Sequence, residues 1–208
     1  VAALEYDLAK EINGQAVATE IARHELYGCT GAEMVQEMKP YHIDFPNVKN
    51  NCLRFEVSPS IEESATFTDA DWAELGNDFM QRMGLANHQY IIIRHSGTES
   101  KKEQAHLHIL ANRVSLSGEL YRDNWIGKKA TEAANAIAKE RNFVQSQDIG
   151  KVNKAEIKEA MDGVLKKMQG FDFTKFKEEL GKRGFKVREA RASTGKLNGY
   201  YVTARSGT

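Results

Sequence analysis

A chain of 208 residues, 41% hydrophobic and 28% charged, is long enough for an ample core and has the composition of an ordinary globular protein, not a disordered or fibrous one. No stretch approaches the roughly 18 apolar residues of a spanning helix, and Cys29 and Cys52 make no C-x-x-C pair, which excludes a membrane-spanning helix and a disulfide scaffold. The net charge is zero, but residues 1–150 hold 15 Lys/Arg against 22 Asp/Glu while the chain from Lys151 onward holds 14 against 7, a layout that suits either an acidic body with a polyanion-gripping extension or two solvated lysine-rich helices.

The start, VAALEYDLAKE, has neither the basic lead nor the apolar core of a signal peptide, and the absence of an initiating Met points to a trimmed N-terminus. A cytoplasmic location is expected. Residues 1–28 are helical in pattern, with Ala2, Leu4, Leu8 and Ile12 apolar and a break at Gly14 before VATEIARHELYG. Thr30 and Glu33 have the spacing of a capping box and open a short helix with Met34, Val35 and Met38 inward, ended by Pro40. Cys52 to Val57 alternates as a strand, with Leu53, Phe55 and Val57 on one face and Arg54 and Glu56 on the other. A helix from Thr68 to Gly84 carries Trp72, Leu75, Phe79 and Met83. It leads into two strands, QYIIIRH and HLHILANR, joined by a polar loop. A strand turning at Gly118 follows, then a helix from about Lys128 to Arg141 lined by Ala130, Ala134, Ile137 and Ala138.

The pattern predicts an α/β fold: an antiparallel central sheet with flanking helices, placed on one side, in residues 1–143. Residues 144–152 read as a linker, and residues 153–208 as a helical and hairpin extension. There Asn153 caps a helix with Ile157, Met161, Leu165 and Met168 inward, and a second helix carries Phe173, Phe176 and Leu180 up to Gly184. The hairpin turns near Gly195 and Gly199, with Phe185 and Val187 on one face and Lys186 and Arg188 on the other.

Three of the six histidines fall where the two middle strands meet their loop. His106 and His108 are two apart on a strand and point to one face, opposite Leu107, Ile109 and Ala111. If the strands pair as a hairpin, His95 lies opposite His106 and three imidazoles converge. A His-x-His pair alone is more often an ordinary strand feature, exposed or bonded to a carbonyl, than a metal site. The third ring turns the pattern toward a divalent metal with open coordination positions, the arrangement of a catalytic ion. His24, His42 and His88 lack such partners and read as surface or locally hydrogen-bonded.

The run NHQYIIIRHSGTESKKEQAHLHILANRVSLSGELY resembles the metal-site motif of mobilization relaxases, the DNA strand transferases of conjugative and mobilizable elements. Upstream, RFEVSPSIEESATFTDADWAELGNDFMQRMGL is similar to the family's strand, Ser-Pro turn and long helix; downstream, the helical pair and hairpin of residues 154–202 are similar to those of many members. The resemblance covers most of the chain and implies an HUH-type sandwich. Here Gly97 stands where many members carry an Asp, the loop SGTESKKEQA is longer, and members usually open with a strand ahead of the tyrosine, which the resemblance places before this sequence.

The resemblance implies a tyrosine nucleophile near the N-terminus. Tyr6 fits, with Tyr27 and Tyr41 as runners-up; read from the residues alone, Tyr6 is an aromatic packing on the sheet. His95, His106 and His108 would hold the cation, with Mg²⁺ or Mn²⁺ in use by resemblance and Zn²⁺ or Ni²⁺ favoured by an imidazole set. Glu56 is a candidate general base or partner of the histidines. Arg54, Arg94, Arg113, Lys186 and Arg188 are candidate DNA-backbone contacts, and Tyr200 and Tyr201 candidates for stacking on bases. The expected partner is single-stranded DNA at an origin of transfer, with accessory mobilization proteins and a coupling protein. Two other readings use the same residues: a metal-dependent phosphoesterase without a covalent step, and a non-catalytic module binding single-stranded nucleic acid.

Overall fold

The computed structural model describes residues 2–12, 14–97 and 104–204, divided into two compact units, Val1–Phe143 and Val144–Thr208. The first runs α1 (Ala2–Leu8), β1 (Glu11–Ile12), β2 (Gln15–Ala16), β3 (Ala18–His24), α2 (Gly31–Met38), a 3-10 turn (Lys39–His42), β4 (Cys52–Val57), α3 (Ile61–Ser64), α4 (Asp69–Arg82), β5 (His88–His95), β6 (His106–Ser115) and α5 (Ile126–Glu140). Its central sheet has the order β3-β5-β6-β4 with every pair antiparallel.

The two inner strands explain the sheet. Ile91, Ile92 and Ile93 are all buried, so β5 needs cover on both faces. Ile92, Leu107, Ile109 and Ala111 pack under α4 and α5 with Trp72, Leu75 and Phe79; Ile91, Ile93 and Leu110 pack with Leu4 of α1 and with Met34 and Met38 of α2. The helices therefore lie on both faces, not on one. Burying each such isoleucine contributes about 1.5–3 kcal/mol, enough to recruit the short helices α1 and α2 to the second face.

Helix α4 starts and stops where its sequence says. Thr68 and Asp71 form the capping box, and Gly84, at φ 71°, turns the chain out of the helix with Leu85 N–H bonded to the Met80 carbonyl at 2.9 Å. Helix α5 is rotated from expectation: Ala133 and Ile137 are buried, while Ala134 is exposed.

Residues 18–24 are an edge strand, where a helical pattern had been expected. A bulge between Glu20 and Ala22 in the pairing with β5 lets Ile21 and Ala22 both pack against the α4 face. That doubling removes the period-two signature of a strand.

In the second unit, α6 (Ser146–Leu165) and α7 (Phe173–Lys182) pack on the antiparallel hairpin β7 (Phe185–Arg191) and β8 (Leu197–Ala204). Helix α6 begins at Ser146 after Gln145, not at Asn153, so most of the expected linker is helical; Asp148 in the first turn favours that earlier start. The inward stripe is Met161, Val164 and Met168, and Leu165 is exposed. Val164 closes a small core with Phe176, Leu180 and Val187.

Candidate metal centre

The register of β5 against β6 pairs His95 with His106 and Ile93 with His108. All three imidazoles are buried, with ring centroids 5.3 Å (His95–His106), 4.4 Å (His95–His108) and 4.9 Å (His106–His108) apart. One ligand atom from each lies within 4.8 Å of the other two. Residues 98–103 of the intervening loop, where the length departure falls, lie outside the described residues.

The hydrogen bonds assign the ring protons. Arg54 Nη2–H donates to His108 Nδ1 at 3.1 Å, so the His108 proton sits on Nε2 and is directed to His106 Nε2, also at 3.1 Å. His106 Nδ1–H donates to the Gln104 carbonyl at 3.3 Å, and His95 Nε2–H to the Asp7 carbonyl at 2.8 Å. Burial lowers the His95 pKa from the usual imidazole value. It pulls His108 down to about 4, against the opposing pull of the Asp7 charge, with His95 and Arg54 adding to the fall. Neutral imidazoles with converging ring nitrogens are what a divalent cation needs, and the donor set fits one once the His108 proton moves from Nε2 to Nδ1, the nitrogen that Arg54 faces.

Helix α1 is held against this centre by three side chains. Leu4 enters the core under β5 and β6, Glu5 accepts from Ala32 N–H at 2.8 Å at the start of α2, and Asp7 accepts two bonds from Arg54. With its neighbours turned inward, Tyr6 is left 55% exposed. Lys10 Nζ donates to the Tyr6 hydroxyl and lies 4.6 Å from the ring centroid. Tyr6 is close enough to contribute to the raised pKa of Arg54, behind the Asp7 hydrogen bond and charge. Tyr27 lies beyond His24, at the opposite end of β3 from Ala18, which pairs with His95. Its hydroxyl donates to Glu25 at 2.9 Å, which raises its pKa.

The remaining sequence candidates scatter. Glu56 is exposed on β4 directly beside His108 in the sheet register. Arg54 is engaged by Asp7 and His108; Arg94 pairs with Asp69; Arg113 is gripped by Asp123 at 2.7 Å and by the carbonyls of Tyr121 and Asn50. Lys186 and Arg188 are exposed on β7, where Arg188 lies 4.7 Å from the Tyr201 ring centroid. Tyr200 stacks on Phe173 at 4.4 Å. His88 is buried, with Nδ1 bonded to the Asn112 carbonyl; His24 bonds the His88 carbonyl and stacks on Tyr90; His42 bonds Asn112 Oδ1 at 2.6 Å. Sequence reasoning missed Asp7, although it stands three after Leu4 on the apolar stripe of α1, where a carboxylate needs a partner. Lys10, one turn after Tyr6, was missed as well.

A family model described as relaxase, MobA/VirD2-like, nuclease domain matches residues 6–143, a span that contains Tyr6 and all three histidines. The chain belongs to the MobA/VirD2-like relaxases. No curated protein and no solved structure matched it. The mixed α/β fold, with its antiparallel four-stranded sheet and C-terminal helices and hairpin, is consistent with a relaxase. Among the described residues of this relaxase no helix is long and apolar enough to cross a membrane.

Proposed function

We propose that this relaxase nicks one DNA strand at the origin of transfer of a mobile element, with Tyr6 as the nucleophile and His95, His106 and His108 as cation ligands. The observation that carries this reading is the docking of α1, through Asp7, onto His95 and, by way of Arg54, onto His108, two of the three histidines that the β5–β6 register brings together. The Tyr6 oxygen attacks the scissile phosphorus in line, a Tyr–O–P bond forms, the P–O3′ bond breaks, and the 3′-oxygen leaves as a hydroxyl. The phosphotyrosyl ester retains the bond energy, so the strand can be rejoined. Lys10 donates to the Tyr6 hydroxyl and orients its oxygen, and Glu56, beside His108 in the register, is the candidate acceptor for the phenol proton.

A bound divalent cation, Mg²⁺ or Mn²⁺ in use and Zn²⁺ or Ni²⁺ by ligand preference, supplies charge neutralisation at the scissile phosphate. Residues 1–143 act as the nicking unit and residues 153–208 as an extension whose Lys186 and Arg188 contact the DNA backbone. Arg94 serves the same end from the body once the strand competes with Asp69, and Arg113 does so while keeping its bond to Asp123. Arg54, half in water beside Asp7, is a further candidate backbone contact at the edge of the centre. The protein acts in the cytoplasm, with accessory mobilization proteins and a coupling protein as partners.

The test is a single-stranded oligonucleotide carrying the origin nick site, incubated with the protein and Mg²⁺ or Mn²⁺. A denaturation-resistant protein–DNA adduct is expected, lost in EDTA and in Tyr6→Phe. Cleavage without an adduct would favour the phosphoesterase reading; binding that is indifferent to EDTA, with no cleavage on the cognate origin, would favour the non-catalytic module.

A further inference from the structure

The relaxase has two tryptophans, and their settings are opposite. Trp72 is 2% exposed in the core beside Phe67, whereas Trp125 is 82% exposed and has no aromatic partner among the described residues. Trp125 adopts φ 58°, ψ 29°, the left-handed region that disfavours a bulky side chain. It also occupies the N-cap of α5, where Ser, Thr, Asp or Asn would bond the free N–H groups, and its side chain bonds none of them. Neither local stability nor core packing accounts for an indole here.

The charge around it does not match the acidic body. Arg122 and Lys128, three residues before and three after Trp125 in the chain, are exposed, the first turn of α5 holds no acidic residue, and Lys129 lies 4.9 Å from the Tyr121 ring centroid with Nζ donating to the Arg122 carbonyl. Against these cations stand Asp123, which is engaged by Arg113, and Glu132, 3.8 Å from Lys128. An exposed indole framed by cations on an otherwise negative unit favours a ligand that is flat, apolar on its face and anionic at its edge. An unpaired nucleotide has that chemistry.

We propose that Trp125 is a stacking platform for a base of the single strand, at a subsite remote from the scissile phosphate. Arg122 and Lys128 hold the adjoining phosphates. The remoteness follows from the sheet: Arg113, which fixes Asp123 two residues before Trp125, lies seven positions after His106 on β6, about 23 Å at roughly 3.3 Å per residue. A strand that reaches both places must run the length of β6. A protein partner of the same face is the competing occupant, and the cations and the stacking geometry favour the nucleic acid. The inference rests on the relaxase reading for the identity of the strand.

The test uses the full chain in EDTA, so that binding is read without cleavage. Titration with a strand spanning the origin well beyond the nick should quench the Trp125 emission of the wild type, seen as the difference from Trp125→Phe, which retains only the buried Trp72. Trp125→Ala should weaken binding of that strand roughly tenfold, and Trp125→Phe should recover most of the loss. Nicking of a short oligonucleotide confined to the scissile site, assayed with Mn²⁺, should be unchanged in Trp125→Ala. Unquenched emission at saturating strand, or equal affinity of Trp125→Ala and wild type, would overturn the stacking role even in a protein that nicks. Self-association of the wild type that Trp125→Ala abolishes, with DNA affinity intact, would reassign the face to a protein partner. Failure of every variant to bind or nick the origin strand would instead refute the relaxase reading beneath it.

Discussion

Asp7 receives two parallel hydrogen bonds from Arg54, 2.8 Å from Nε and 2.7 Å from Nη2, across 47 residues of sequence. The carboxylate is 1% exposed and the guanidinium side chain 44% exposed, so the pair stands between buried and surface electrostatics. Its place matters more than its strength. Asp7 adjoins Tyr6, its carbonyl orients His95, and the Arg54 guanidinium continues to His108. One ion pair therefore joins the helix of the proposed nucleophile to two of the three proposed ligands.

Removing either partner should separate stability from metal affinity. Arg54→Ala leaves a buried carboxylate unpaired and should cost about 3 kcal/mol, the low end for a broken buried pair because Arg54 is half in water. Yet Arg54 donates to His108 Nδ1, the nitrogen that must carry the proton if Nε2 is to bind a cation, and it adds positive charge there. Arg54→Gln should bind Mn²⁺ more tightly than wild type, and Asp7→Asn about tenfold less tightly. Denaturant unfolding and calorimetric titration read the two quantities; parallel losses in both variants would contradict the opposed signs.

Tyr6 is exposed and its ring supports no core, so Tyr6→Phe should fold, bind metal and bind DNA like wild type while forming no adduct. Lys10→Met should slow adduct formation by about ten- to a hundredfold without changing DNA affinity, with partial recovery in Lys10→Arg. Quench-flow kinetics under single turnover make the comparison. An adduct in Tyr6→Phe would send the search to Tyr27 and Tyr41.

How far the sequence reveals this molecule depends on whether a residue's role is set by its neighbours in the chain. Strands β5 and β6 were legible because their apolar runs and the His95, His106 and His108 spacing are local, and α4 because its capping box and Gly84 bracket it. Strand β3 was not, since its bulge places Ile21 and Ala22 on one side and imitates a helical stripe. Asp7 was missed because its partner is remote in sequence, and the pairing of Arg54 with Asp7 and His108 went unread for the same reason. The cover of the second sheet face by α1 and α2 is likewise a tertiary outcome: seven and eight residues of helix carry little signal of where they dock.

Each histidine of the centre should contribute to cation binding in a cooperative way. Substituting His106 or His108 with Gln leaves two imidazoles and should reduce Mn²⁺ or Zn²⁺ affinity at least tenfold per ligand, on the order of that produced by loss of an outer partner. The His106 ring is oriented by the Gln104 carbonyl, so Gln104→Ala should leave affinity nearly intact. Calorimetric titration of each variant with either metal checks this, and unchanged affinity in His106→Gln would remove that residue from the ligand set.

Burial also ties the fold to pH. His88, His95 and His108 are held below the usual imidazole value of 6.5, with desolvation the largest cause in each and His108 at about 4. An unfolded chain takes up protons near pH 6.5 that the folded chain refuses, so the stability is fully present above that value and is lost as pH falls toward about 4. Carboxylates remain mostly ionised from about pH 6.5 down to about 5, so the imidazoles dominate that interval. Denaturant unfolding in EDTA should therefore show stability decreasing from pH 7 to pH 5, by a few kcal/mol. His88→Gln should flatten part of the slope while leaving the three-histidine centre untouched, because its ring bonds Asn112 and not the site. A stability that stays level across the interval in EDTA would mean that these rings are already protonated in the folded protein, and the neutral donor set would be lost with that result.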